Sequence, residues 1–292
     1  MRDYLIRNLN QVSSELAYVD PEFEMAVVGH IMGNYMLNCV YPLYLAIHGP
    51  RGEGKTFQTL YICQQYGIQV YYVSGAELSG SFEADSISSI EKNRDDAIQR
   101  YRRDGLHSVF IIDDFHLSVA SVDADVSRTV NSQLLTGWLM NQADRAIVGY
   151  RIPFILLGND FVNLYAPLTR DGRMDFFEWK PGTAEKLAII CKHFEDIIGN
   201  KNRSAFEVFI KKCIDQPISF FTELKKDLVK NQIKNTLREL SRRDHNMIMD
   251  KLNGMNTVLA YDQMDVMDQL NDLASMRIRQ ANAKNTIHEH RR

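Results

Sequence analysis

A lysine and a threonine stand side by side at the end of Gly49-Pro50-Arg51-Gly52-Glu53-Gly54-Lys55-Thr56, a run that satisfies G-x-x-x-x-G-K-[ST] at every fixed position. Glycines without a Cβ let such a loop turn its backbone N–H groups inward around phosphate oxygens. At this spacing Lys55 is expected to reach the β- and γ-phosphates of ATP, and the Thr56 hydroxyl to ligate Mg²⁺. Phe57 follows at the start of an expected helix, so residues 49–57 form the expected nucleotide-binding segment. A second group with chemistry is Asp113-Asp114, two carboxylates closing the apolar run Val109-Phe110-Ile111-Ile112. One acid, Asp113, would hold the magnesium shell, and the other, Asp114, would polarise the attacking water. An acidic turn after any buried strand looks the same in isolation, but its position downstream of a phosphate loop favours the catalytic reading.

Two further groups admit two readings each. Asn159, in Gly158-Asn159-Asp160 after a strand, either holds the hydrolytic water near the γ-phosphate or is ordinary turn chemistry. Arg170 and Arg173, flanking Asp171-Gly172, are either a solvated corner or always-charged guanidinium groups that stabilise phosphate charge in a neighbouring subunit.

These groups need a frame. Leu43-Tyr44-Leu45-Ala46-Ile47, Val70-Tyr71-Tyr72-Val73, the run ending in Asp113 and Pro153-Phe154-Ile155-Leu156-Leu157 are short apolar stretches that read as buried parallel strands. Met174 to Trp179 reads as a last strand. Helices are expected over residues 57–65, from about 90 to 104, and over 130–143. Ser74 to Ser89 reads as a polar connection, and 117–128 as a loop. Ahead of the first strand, residues 1–40 read mostly as helix. Pro21 ends or restarts one there, and Phe23, Val27, Val28, Ile31, Met32, Tyr35 and Met36 face a core along 22–38. Beyond Pro181-Gly182 strand signals stop. Thr183 is the expected N-cap of an amphipathic helix to about Ile198, and more helices follow, interrupted near Pro217. The expected fold is α/β, a parallel sheet flanked by helices (1–180), then an all-helical lid (181–235) and a helical extension (236–292) with a basic, disordered tail from Arg277. In the extension, Leu259, Val266, Leu270 and Leu273 recur at heptad-like spacing, which suits either a partner-binding coil or packing on the lid.

Composition excludes several classes. The 292 residues are 45% hydrophobic and 24% charged, with a formal net charge of -3. That balance gives no general attraction to nucleic acid or anionic membrane. Cys39, Cys63, Cys191 and Cys213 are scattered, without zinc-ligand spacing, and fit a reducing compartment. No apolar run reaches membrane-spanning length and the N-terminus shows no signal-peptide core, so a cytoplasmic setting, or plastid stroma in a eukaryote, is expected.

The strand and helix order resembles the AAA+ P-loop ATPases, and one block is more specific. Gly158-Asn159-Asp160-Phe161, Leu164-Tyr165-Ala166-Pro167-Leu168 and Arg170-Asp171-Gly172-Arg173-Met174 together resemble the sensor-1 and arginine-finger region of Rubisco activase. Gln216-Pro217-Ile218-Ser219-Phe220-Phe221 is similar to that family's last lid helix start, and the resemblance spans roughly residues 25 to 230. It implies Walker A roles for Lys55 and Thr56, the Walker B role for Asp113, sensor 1 at Asn159 and trans-acting fingers at Arg170 and Arg173. It also implies a pore loop over 75–83, a hexameric ring, and a protein client, Rubisco, freed from sugar phosphates. The sequence departs from the pattern where Asp114 directly follows Asp113, activases placing their second acid one residue later. Lys225 stands where the family has a sensor-2 arginine. A lysine keeps the charge at this expected nucleotide contact but loses the bidentate fork. Neither the N-terminal extension of plant-type activases nor a small-subunit-like domain is expected. A helicase-loader-like nucleic-acid role and a slow nucleotide-gated scaffold are the alternatives. Nucleic acid and membrane are not expected partners.

Overall fold

The computed structural model describes residues 17–36, 41–78, 83–115, 130–145, 151–162, 164, 166–199, 202–239 and 266–289. Among these the chain forms two compact units, one built on Val19–Lys180 and the other on Pro181–Arg292.

The first unit is organised by five parallel strands, β1 (Tyr44–His48), β2 (Gln69–Ser74), β3 (Ser108–Asp113), β4 (Phe154–Leu157) and β5 (Met174–Glu178), in the order β2-β3-β4-β1-β5. Successive side chains of a strand point to opposite faces, so a strand covered on both faces must be apolar throughout. β4 and the first four residues of β1 are buried without a break. On one face Tyr44, Tyr71, Phe110 and Phe154 pack with Ile90 and Ala97 of helix α4 (Glu83–Asp104) and Leu135 and Leu139 of α5 (Val130–Arg145). The alternate residues Leu45, Ile47, Ile111 and Ile155 are equally buried. Each such side chain contributes about 1.5–3 kcal/mol by leaving water.

Helix α1 (Pro21–Asn34) starts where Asp20 accepts the N–H groups of Glu22 and Phe23 at 3.0 Å, with proline in its first turn. Pro21 therefore begins this helix. Phe23, Val27 and Ile31 are fully buried, whereas Met32 and Met36 are 42% and 67% exposed, so the core-facing stripe is narrower than expected. α2 (Lys55–Gln65) follows the phosphate loop. The stretch after β2 is not a polar connection: α3 (Gly75–Leu78) begins directly, and α4 begins at Glu83 rather than near Ile90. The loop expected over 117–128, residues 79–82 and the helix expected ahead of residue 17 lie outside the described residues.

The second unit is helical: α6 (Thr183–His193), α7 (Glu195–Ile198), α8 (Arg203–Lys212), α9 (Ile218–Glu239) and α10 (Val266–Glu289). Gly182, not Thr183, is the N-cap of α6, and Thr183 is its first helical residue. The expected single helix breaks at Phe194, and Gly199 at φ 60° ends α7. Phe194, Phe206, Phe209, Phe221 and Leu224 form the core, and α10 closes it with Val266, Leu270 and Ala274. The stripe is thus used for packing within this unit; Leu259 lies outside the described residues. The segment expected as a disordered tail continues α10 to Glu289, where Arg277, Arg279, Gln280, Ala281 and Ala283 supply helix propensity. Arg277 pairs there with Asp227 at 2.6 Å.

Candidate active site

The phosphate loop leaves the carboxyl end of β1 and enters α2. Gly49 adopts φ 139°, and a Cβ there would lie 2.0 Å from the carbonyl oxygen of Trp179, so a side chain would push the loop off the strand ends. Gly54 is left-handed at φ 81° and caps α2 without a side chain, leaving the first amides of the helix to a ligand. The loop is tied down from both sides. The Gly49 N–H donates to the carbonyl of Asn159 at 3.2 Å, and the Trp179 ring N–H donates to the carbonyl of Glu53 at 2.7 Å.

Inside this cradle the Lys55 ammonium donates to the carbonyls of Gly49 and Pro50, both at 2.8 Å, and to Asn159 Oδ1 at 3.4 Å. Burial lowers its pKa, while Asp113, Glu53 and Asp114 pull it back up. The Thr56 hydroxyl lies 3.0 Å and 3.2 Å from the two carboxylate oxygens of Asp113. Lys55 and Thr56 of α2, Asp113 of β3 and Asn159 just past the end of β4 therefore meet at one place. A hydroxyl and a carboxylate oxygen side by side fit a hard divalent cation that keeps most of its other sites for water and phosphate. Among the described residues there is no group of three or more His, Cys, Asp or Glu that could hold a metal. The protein's share of a magnesium site would then be Thr56 and Asp113.

The remaining expected residues sit differently. Asp114 is exposed at φ 50°, with its backbone N–H on Asp113 Oδ1 at 2.9 Å. Arg51 and Phe57 are exposed, and Glu53 is buried. Arg170 is exposed, whereas Arg173 is clamped by both oxygens of Asp144 at 3.0 and 2.8 Å. Lys225, in the helical unit, donates to the carbonyl of His193 at 2.6 Å and to Asp196 at 2.8 Å.

Three groups escaped the sequence reading. Trp179 pins the loop, Asp144 holds Arg173, and the Tyr72 hydroxyl donates to Asp113 Oδ2 at 2.7 Å.

Residues 45–181 match the family described as ATPase family associated with various cellular activities (AAA). The chain is 32% identical over 237 residues to the ribulose bisphosphate carboxylase/oxygenase activase of Anabaena sp., covering 76% of this chain and 56% of that protein. To the chloroplastic activase of Phaseolus vulgaris it is 30% identical over 230 residues, 74% of this chain and 52% of that one. The chain thus spans about half the length of the curated relatives it matches. Among the described residues no helix is long and apolar enough to cross a membrane.

Proposed function

We propose that this chain, a Rubisco activase-like AAA+ ATPase, hydrolyses ATP with Mg²⁺ and uses the cycle to remodel a protein client, Rubisco being the first candidate. The observation that carries the reading is the meeting of Lys55, Thr56, Asp113 and Asn159 at one loop end. Magnesium-bound ATP brings the bond to be broken and a metal that neutralises its phosphate oxygens. Residues 49–57 hold the phosphates through their backbone amides, and Lys55 supplies the cation for the β- and γ-phosphates. Thr56 and Asp113 keep the metal in place. Asp114 orients the attacking water, and Asn159 senses the γ-phosphate beside Lys55. Arg170 and Arg173 act on the neighbouring subunit's γ-phosphate in a ring, taken as hexameric, and Lys225 links nucleotide state to the lid. The working division is an ATP-binding part to residue 180, a lid over 181–235 and a helical extension after it. The setting is the cytoplasm or a plastid stroma.

The test is steady-state ATP hydrolysis alone, with sugar-phosphate-inhibited Rubisco, and with single-stranded DNA. Recovery of carboxylase activity only with hydrolysable ATP supports the reading and its client. Hydrolysis stimulated by DNA, without reactivation, overturns it in favour of nucleic-acid handling, which should weaken steeply with salt. Slow hydrolysis indifferent to both would leave a nucleotide-gated scaffold.

A further inference from the structure

We propose that Tyr72 is the positioning residue of the magnesium site, its phenol holding Asp113 in the orientation that receives the metal. This rests on the assignment of Asp113 to the magnesium shell. β2 and β3 run in parallel with Tyr72 beside Ile111 and Ser74 beside Asp113. The ring of Tyr72 therefore leans about two residues up the strand, roughly 7 Å, to put its hydroxyl 2.7 Å from Asp113 Oδ2. The other oxygen, Oδ1, accepts the Asp114 N–H at 2.9 Å. Leaving aside the Thr56 hydroxyl, which faces both oxygens, each oxygen has one donor behind it, and the carboxylate plane is fixed before any ligand arrives. The Thr56 hydroxyl then lies within 3.2 Å of both oxygens. Asp113 is half-buried at a strand end; with Thr56 turned to the metal and no phenol, only the Asp114 N–H would hold the carboxylate against rotation about its χ angles. Donors behind a metal-binding carboxylate set its orientation, and their loss typically weakens metal binding 10- to 100-fold.

Tyr72→Phe keeps the ring and removes only the donor. The full chain is titrated with magnesium in the presence of a fluorescent ATP analogue, and the same binding is measured in EDTA. Tyr72→Phe is expected to raise the magnesium midpoint about tenfold, with binding in EDTA within twofold of the parent and thermal unfolding little changed. Asp113→Asn, run in parallel, is expected to raise the midpoint at least as far. A Tyr72→Phe midpoint equal to the parent's, with Asp113→Asn shifted, means the phenol only packs, and overturns the proposal. Equal weakening in EDTA and in magnesium overturns it too, because the loop rather than the metal would have been affected. If neither variant moves the midpoint, the magnesium role of Asp113 falls and the proposal with it.

Discussion

Lys55 and His30 are two nitrogen bases kept from water, and burial lowers the pKa of both. For Lys55 this primes the group: an ammonium satisfied only by carbonyls and an amide gains from an anionic phosphate. Lys55→Ala should abolish detectable binding of ATP with magnesium and cut hydrolysis by at least ~10²-fold, measured by fluorescent-nucleotide titration and phosphate release. His30 is structural. Its ring lies within α1, Nε2 3.1 Å from the carbonyl of Phe154 in β4, and its pKa falls to about 3. The unfolded chain, with an ordinary histidine near 6.5, binds the proton first. The stability due to a neutral His30 is therefore complete above pH 6.5 and is lost progressively as pH falls towards 3, at about 1.4 kcal/mol per unit. Urea unfolding at pH 7.5 and 5 should show a drop that His30→Gln flattens.

At the scale of elements, much of the frame could be read directly. β1, β3 and β4 are apolar on both faces, and such runs have few alternatives in a chain that also carries a phosphate loop. The meeting of the loop, Asp113 and Asn159 was legible because all three stand at the carboxyl ends of neighbouring parallel strands. What stayed hidden depends on partners distant in sequence. Asp144 lies 29 positions before Arg173, and nothing local marks it as that guanidinium's counterion. Tyr72 reads as one more strand aromatic until β3 is laid beside it. Thr183 was misread because a good capping residue does not cap when the chain enters the helix one residue sooner. α10 was half legible, its stripe visible and its continuation to Glu289 not. Leu270 is fully buried in the helical unit's core. Leu270→Ala should cost about 2–5 kcal/mol of that unit's stability, seen as earlier loss of helical signal in denaturant.

For the molecule as a whole, the sharpest expectation concerns copies acting on one another. Subunits carrying Lys55→Ala and subunits carrying Arg173→Ala should recover part of the lost hydrolysis when mixed, since each can complete a site that the other lacks. Mixtures that assemble yet stay inactive would leave Arg173 as the fixed partner of Asp144. The closure of the helical unit by α10 also bears on how the protein is made. α6 to α9 leave the ribosome well before Val266, and until Val266, Leu270 and Ala274 emerge their shared core has an open side. A nascent chain that has emerged only as far as residue 250 would hold a finished sheet and an unfinished helical unit, its Phe194–Phe206–Phe209 surface exposed to chaperones and proteases. The order of synthesis thus leaves the helical unit open to degradation after the sheet is complete.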